Sequence, residues 1–258
     1  MGVTYMSRVS LRCHVNSVGD AASMADAALP LIAIGAAIGM DMPGVVEDFT
    51  AKVWRTSVNG GFGELFGRPI VVGSSIGSGP EQVICPIGQA CRVSIDPFAW
   101  RVAKVLESVF PWDSRLDSFR RGMSERGIVG GVTVPVHMPM SRVGAVGWVA
   151  IDHDVDVDRI LATYSNELRL AAHLFMGHVY RERPDVLALP HVSLSERELE
   201  CLTWVAMGKT DADIAELIGR SPSTARFHVE SAVAKLGVNN RTRAAAVASQ
   251  MGMIRAVA

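Results

Sequence analysis

The chain has 258 residues, of which 49% are hydrophobic and 20% are charged, and its formal net charge is −1. This composition is typical of a soluble globular protein with one large or two ordinary domains. It excludes a polycation, so nucleic-acid binding would have to depend on a local basic patch. The longest apolar run, residues 27–40, contains Pro30 and is too short to span a membrane. The N-terminus has no basic segment followed by an apolar stretch and a cleavage site, so we expect a cytoplasmic protein that does not enter a membrane.

The N-terminal two thirds of the chain carry the patterns of both helices and strands. Residues 21–38 and 98–109 are predicted to be apolar helices. β-branched residues at 131–138 and 142–151, on either side of the turn "PMS", predict a hairpin. Residues 157–179 place apolar side chains at the spacing of a long amphipathic helix. We therefore expect an α+β protein whose N-terminal domain is an α/β/α sandwich with an antiparallel sheet, a layered fold that can enclose a pocket.

A segment with two prolines separates this part from the C-terminal residues. In "RERPDVLALPHVS", residues 181–193, the prolines prevent a continuous helix. We therefore predict a sensor and dimerisation domain at residues 1–183, a linker at 184–192 and a second domain at 193–258.

The second domain shows a series of helix start and stop signals. Capping-box patterns at Ser195 and Thr210 begin two helices, and a glycine follows each of them. Ser221 begins a third helix, which Gly237 ends. Two short helices joined by "GRSPS" indicate a helix-turn-helix, in which the second helix lies in the major groove of DNA. A plain helical bundle is the alternative.

The helix at 221–237 has two different faces. One face is apolar and is expected to be buried, with Ala225, Val229, Ala232, Val233 and Leu236 at helical spacing. The opposite face presents polar groups and an aromatic ring, which can read base edges. Its residues are Ser223, Arg226, Phe227, Glu230 and Ala234. The alternative is an ordinary solvated face on which another domain covers Phe227.

Charge is distributed unevenly along the second domain. Residues 193–219 carry two basic against six acidic side chains, whereas residues 220–258 carry six basic against one acidic. Phosphate neutralisation is therefore expected from the third and fourth helices, with Arg241 and Arg243 as candidate phosphate contacts.

Residues 194–254 closely resemble the LuxR-type, or GerE-like, DNA-binding domain in the phrases "LSERELECL", "GKTDADIAELIGRSPSTARFHV", "KLGVNNRTRAAAVA" and "GMI". Signature positions of that family are occupied here by Glu198, Leu202 and Gly208. The resemblance implies an all-α four-helix helix-turn-helix domain that binds double-stranded DNA. It also implies base contacts for Arg226, Phe227 and Glu230, and phosphate contacts for Ser223 and Thr224.

The N-terminal part resembles, with fewer matching motifs, the autoinducer-binding domain of the quorum-sensing LuxR regulators in "DPFAW", "FPWD" and "RGIVGGVTVPVHM". The resemblance implies that Asp96 accepts the amide N–H of an acyl-homoserine lactone, and Phe98, two residues further on, is taken as another ligand-binding position. It also implies that the indole of Trp112 donates to the lactone carbonyl. A helix cap at Asp96 and a core position for Trp112 are the alternatives.

Three positions of the implied pocket depart from that family. Val83 and Ile87 stand where a tryptophan and a tyrosine usually close the pocket, and Gly147 stands where a serine or threonine is frequent. We keep all three as ligand-binding positions. They predict a larger and less polar pocket, which suits a longer or aryl ligand, or no ligand at all.

These features favour a sequence-specific transcription regulator. We expect it to be a homodimer that is controlled by an acyl- or aryl-homoserine-lactone-like signal, and RNA polymerase is a candidate further partner. The alternative is a ligand-blind regulator, or a mixed-dimer inhibitor controlled by a protein partner. The sequence has no nucleophile elbow, metal-ligand spacing or cofactor motif, so we expect no catalytic residues, metal site or cofactor. The four cysteines are expected to be free buried thiols, with a redox pair of Cys85 and Cys91 as the alternative.

Overall fold

The structure is a computed structural model that describes residues 8–49, 85–104, 114–182 and 192–255. The chain divides into two compact units, one on each side of residues 183–191. Residues 184–191 of the predicted linker lie outside the described residues, so the limits of the domains stay a prediction.

A four-stranded antiparallel sheet forms the middle layer of the N-terminal unit. Its strands are β1 (Met42–Val46), β2 (Phe98–Arg101), β3 (Gly130–Met138) and β4 (Arg142–Ala150), in the order β1-β4-β3-β2. The predicted hairpin is confirmed, because β3 and β4 pair directly and Met138 lies opposite Arg142. Met140 and Ser141 in the connecting turn have φ values of 66° and 56°, which are the left-handed values that tight hairpin connections use.

Helices cover both faces of this sheet. They are α1 (Arg8–Asp20), α2 (Met24–Ala37), α3 (Pro86–Val93), α4 (Ser114–Ser124) and α5 (Val157–Arg181). Because side chains alternate along a strand, β4 directs Val146 and Trp148 into a core with α1, α2 and α5. It directs Val143 and Val149 into a second core with α3 and α4. The fold is therefore the predicted α/β/α sandwich.

Two of the predicted N-terminal helices are confirmed and one is wrong. Those at 21–38 and 157–179 are α2, capped by Ser23, and α5, capped by Asp156. The helix predicted at 98–109 is instead the strand β2, followed by a short 3-10 turn at Val102–Lys104. Residues 105–109 lie outside the described residues.

Strand pairing explains why β2 is extended. It pairs with residues 130–133 of β3, and Trp100 is its buried side chain, as strand alternation requires. Gly131 allows the close approach, since a Cβ there would lie 2.8 Å from the Trp100 ring and 2.7 Å from a backbone oxygen of Trp148. The partner strand is about 30 residues away in sequence, so a local periodicity does not reveal it.

The C-terminal unit consists of four helices, as predicted. They are α6 (Glu196–Ala206), α7 (Asp211–Ile218), α8 (Pro222–Lys235) and α9 (Arg241–Gln250). Ser195 and Thr210 each form a reciprocal capping box, and Gly219 and Gly237 both have a φ of 64° just beyond the ends of α7 and α8. The apolar faces of the four helices share one core, which includes Leu202, Ile214, Val229 and Ala244. In the part of the chain that the structure describes, none of the helices combines the length and the apolar character needed to cross a membrane.

Candidate nucleic-acid interface and sensor cavity

The exposed side of α8 is the candidate DNA-contacting surface. The side chains of the predicted apolar stripe are buried or half-buried, which leaves the opposite stripe in solvent. We call that stripe the recognition face, and its residues are Ser223, Arg226, Phe227, Glu230 and Ala234. Phe227 is 65% exposed, so its ring is available for an apolar contact such as a thymine methyl. The structure therefore brings the predicted base-contacting residues together on one accessible surface.

Glu198 connects the first helix of the C-terminal unit to α8. Its buried carboxylate accepts hydrogen bonds from the Ser195 backbone N–H at 2.7 Å, the Ser231 hydroxyl at 2.6 Å and the Lys235 ammonium at 2.8 Å. Burial alone would raise the pKa of Glu198, but the hydrogen bonds outweigh it and lower the pKa to about 2. The ionised carboxylate therefore holds α8 against the start of α6.

Asp211 connects two arginines from different helices. From the first turn of α7, its Oδ2 accepts from Nε of Arg226 at 3.0 Å, and its Oδ1 accepts from Nη1 of Arg241 at 2.5 Å. Arg241 also donates from Nη2 to the Lys209 carbonyl at 2.8 Å. Burial opposes ionisation of Asp211, but the two guanidinium groups lower its pKa from the ordinary value. The Arg226 side chain remains 67% exposed, so this ion pair leaves it on the recognition face.

The other predicted phosphate contacts lie at two helix N-termini. The hydroxyls of Ser223 and Thr224 share hydrogen bonds of 2.8 and 2.9 Å with the hydroxyl of Ser221, the residue that caps α8. Asn240 caps α9 by accepting from the backbone N–H of Arg243 at 2.7 Å, and the side chain of Arg243 is exposed. Hydroxyls, an exposed guanidinium and helix N-termini are groups that bind phosphates in protein–DNA complexes.

The N-terminal unit contains a small apolar cavity beside the sheet. Its volume is about 30 Å³, and Ile87 and Gly147, two of the predicted ligand positions, line it. Its polar contact is a hydrogen bond of 3.0 Å from the indole N–H of Trp100 to the hydroxyl oxygen of Thr133. Among the described residues, it is also lined by Gly44, Val46, Phe49, Ala145, Trp148 and Val149. Ligand sites for small molecules typically enclose about 300–1,000 Å³, so a lactone would fit only if the walls moved apart.

Asp96 is not among the residues that line this cavity. Its side chain is 71% exposed, and its Oδ1 accepts from Nη2 of Arg169 on α5 at 2.6 Å. The alternative role as a helix cap is wrong, because Pro97 is followed by the strand β2 rather than by a helix. Oδ1 of Asp96 is engaged by Arg169 and the carboxylate lies in solvent, so a ligand contact by Asp96 stays a prediction.

The remaining predicted ligand positions do not complete the cavity. Phe98 is half-buried against the core of α3 and α4 and is not among the cavity-lining residues. Val83 and Trp112 lie outside the described residues. Trp100 and Thr133 were missed as site residues, although Trp100 belongs to the "DPFAW" motif, which was the signal available in the sequence. Thr133 lies in the motif "RGIVGGVTVPVHM", so the same kind of signal was available for it.

The cysteines are free thiols, as expected, and three of them are buried, but the expectation of burial is wrong for Cys13, which is exposed. Burial is the main cause that raises the pKa of Cys85 to about 11, and burial also raises the pKa of Cys91. Both thiols therefore stay protonated and poorly nucleophilic near neutral pH. Among the described residues, no three side chains of histidine, cysteine, aspartate or glutamate are grouped so that they could hold a metal ion.

Both parts of the chain match known protein families. Residues 192–248 match the family described as "Bacterial regulatory proteins, luxR family". Residues 82–179 match the family described as "Autoinducer binding domain". The first match covers the four C-terminal helices almost completely, and the second covers the sheet strands β2 to β4 and most of α5.

Similarity to individual proteins, in sequence and in structure, supports these family matches. The transcriptional activator protein EsaR of Pantoea stewartii subsp. stewartii is 30% identical over 186 residues, which are 69% of this chain and 73% of EsaR. The crystal structure of Escherichia coli SdiA has a TM-score of 0.55 and 17% identity, covering 95% of this chain and 98% of SdiA. CepR2 from Burkholderia cenocepacia, an N-acylhomoserine-lactone-dependent LuxR family transcription factor, has a TM-score of 0.52 and 18% identity over 66% of this chain and 96% of CepR2. The two structures establish a shared fold. The chain therefore belongs to the LuxR family, whose members are transcription factors and not enzymes. It is a regulator of the quorum-sensing type, with an autoinducer-binding domain and a C-terminal GerE-type helix-turn-helix domain.

Proposed function

We propose that this regulator is a cytoplasmic homodimer that binds a specific DNA sequence. An acyl- or aryl-homoserine lactone sets its affinity for DNA, and RNA polymerase is a further partner. The observation that carries the DNA-binding part is the recognition face, where an arginine, an aromatic ring and a carboxylate are exposed together on α8. Two copies place their recognition helices in successive major grooves of a roughly palindromic site, about one helical turn apart.

The side chains divide between base and phosphate contacts. Arg226 donates to guanine, Phe227 packs on a thymine methyl, and Glu230 accepts from cytosine. Their exposure on a single helix face supports this assignment. Phosphate contacts fall to the start of α8 and to α9, through Ser223, Thr224, Arg241 and Arg243.

The test of this assignment begins with selection of a preferred duplex from a randomised library by the full-length protein. We expect Arg226→Ala to lose about 1–3 kcal/mol of discrimination at one base pair of that duplex, measured by fluorescence anisotropy against single-base variants. Arg197→Ala, which removes the same charge from an exposed position on α6, is the matched control and should keep the full discrimination. If Arg226→Ala prefers the selected duplex as strongly as the wild type does, the assignment of the recognition face is wrong.

The signal site that we propose is the cavity beside the sheet. Its apolar walls and its Trp100–Thr133 hydrogen bond fit an acyl or aryl group with few polar atoms, and the autoinducer-binding match supports the lactone class. The stated lactone dependence of CepR2 supports the same class. Ligand contacts from Ile87 and Gly147, and from Asp96, Phe98, Val83 and Trp112, belong to this proposal. Asp96 would accept the ligand amide N–H with a carboxylate that Arg169 already contacts through Oδ1.

A ligand-blind regulator, or an inhibitor that forms mixed dimers with a related protein, is the second candidate. The small volume of the cavity and the exposed position of Asp96 favour it, because the cavity would have to enlarge before a lactone fits and Asp96 does not line it. The two candidates differ in one observable, since a ligand that binds only the folded protein raises the melting temperature.

A further inference from the structure

We infer that Asp211 is a positioning residue for DNA recognition, which holds the guanidinium of Arg226 in its base-reading direction and ties it to Arg241 at the start of α9. The inference rests on the proposed function, because Asp211 can position a DNA contact only if Arg226 makes one. Asp211 itself need not touch DNA, and it acts through the two arginines.

The atoms that Asp211 engages leave the reading edge of Arg226 available. A guanidinium carries five N–H donors, one on Nε and four on the two Nη atoms. Asp211 accepts from Nε at 3.0 Å, so the end of the group that carries both Nη atoms can still meet the O6 and N7 atoms of guanine. Because Nε is held, the long side chain has already lost part of the rotamer freedom that DNA binding would otherwise remove.

Arg241 anchors Asp211 from the opposite side. It donates to Oδ1 of Asp211 and also to the backbone carbonyl of Lys209, which lies just before α7. Asp211 is only 18% exposed in this arrangement, whereas Arg226 is 67% exposed. The carboxylate is thus fixed between α7 and α9, and the guanidinium that it orients belongs to α8.

Charge also argues for an orienting role. A carboxylate on a DNA-facing surface would repel the phosphates if it were unpaired. Here two guanidinium groups bracket one carboxylate, so the cluster keeps a net positive charge. Burial acts to raise the pKa of Asp211, but the two guanidinium groups outweigh it and lower the pKa. The carboxylate therefore stays ionised between the two arginines.

Three roles of Asp211 predict different results for Asp211→Asn. If Asp211 only repels phosphates, the variant binds every duplex more tightly with unchanged discrimination. If Asp211 only stabilises the fold, the variant melts earlier and binds every duplex equally less well. If Asp211 positions Arg226, the variant loses discrimination at the base pair that Arg226 reads, while its binding to unrelated duplex does not weaken.

The experiment measures the full-length protein on the duplex that the wild type selects, on its single-base variants and on an unrelated duplex. A bidentate arginine contact supplies a factor of about 5 to 150 in discrimination between the right and the wrong base pair. At the base pair affected by Arg226→Ala, we expect Asp211→Asn to lower this discrimination about five-fold or more. In the Arg226→Ala background, the same substitution should change that discrimination less than about two-fold, since the positioned group is gone. Glu216→Gln removes the same charge from an exposed position of α7 and should leave discrimination unchanged.

One further measurement and one replacement variant keep the outcomes distinct. Melting temperatures of all variants show whether they are folded, and Asp211→Ser, which suits a first helical turn, replaces Asp211→Asn if that variant does not fold. Unchanged discrimination in the Asp211 variant, or an equal loss in the Arg226→Ala background, would overturn the positioning role. If the wild type selects no preferred duplex, the proposed function itself fails, and this result is separate from a failure of Asp211 to position Arg226.

Discussion

At the scale of single residues, a buried carboxylate holds the recognition helix in place. Glu198 accepts hydrogen bonds from both α8 and the cap of α6, so it fixes the helix that carries the recognition face. Its pKa is lowered from 4.5 to about 2. A carboxylate with a depressed pKa in the folded state contributes stability above its ordinary pKa, and this contribution is lost as the pH falls toward the depressed value.

We therefore predict that Glu198→Gln destabilises the C-terminal unit by about 1–3 kcal/mol at neutral pH, because the Lys235 ammonium loses its buried partner. Hydrogen exchange of peptides from α6 and α8 measures this loss locally. Glu196→Gln, at an exposed position on the same helix turn, should have little effect. Between pH 4.5 and 2 the stability of the wild type should fall toward that of Glu198→Gln, and a constant difference across this range would contradict the role given to the carboxylate.

At the scale of elements, α9 supplies two arginines of different character. The side chain of Arg243 is exposed, whereas Arg241 is held by Asp211 and by the Lys209 carbonyl. A phosphate contact by either arginine should strengthen binding to all sequences alike, because phosphates carry no sequence information. Only Arg241 has an additional part in joining α9 to α7.

The two arginine variants should differ in stability but not in the type of binding defect. We expect Arg241→Ala and Arg243→Ala each to weaken binding to every duplex and to reduce the slope of log affinity against log salt by about one. Arg241→Ala should also destabilise the unit by about 1 kcal/mol through its lost contacts, whereas Arg243→Ala should melt like the wild type. A salt slope that neither substitution changes would remove α9 from the DNA interface.

At the scale of the whole molecule, sequence-based prediction succeeded where structural signals are local. The four C-terminal helices follow from caps such as Ser195 and Thr210 and from glycines just beyond the helix ends, all within a few residues of the helix they delimit. The hairpin follows from β-branched residues on either side of a short turn, and α5 follows from helical periodicity over many residues. β2 was missed because four residues with one buried side chain show no clear period, and its pairing partner is remote.

The candidate site was predictable to the same limited extent. The recognition face follows from one helix, so its residues could be named from the sequence. The Asp211–Arg226 ion pair depends on the angle between α7 and α8, and the Trp100–Thr133 hydrogen bond depends on strand register, which the sequence does not encode locally. For the same reason, the exposed position of Asp96 beside Arg169 on α5 could not be foreseen from the motif around it.

The central claim, that a small signal controls this regulator, is tested most directly by thermal melting of the purified full-length protein across a panel of acyl- and aryl-homoserine lactones. We predict a higher melting temperature with at least one lactone, corresponding to about 3 kcal/mol of stabilisation at one hundred times its dissociation constant. Asp96→Asn should reduce this shift, and Asp20→Asn, at the exposed end of α1, should not. An unchanged melting temperature with every lactone, in protein that still binds its selected duplex, would contradict the claim and favour the ligand-blind regulator.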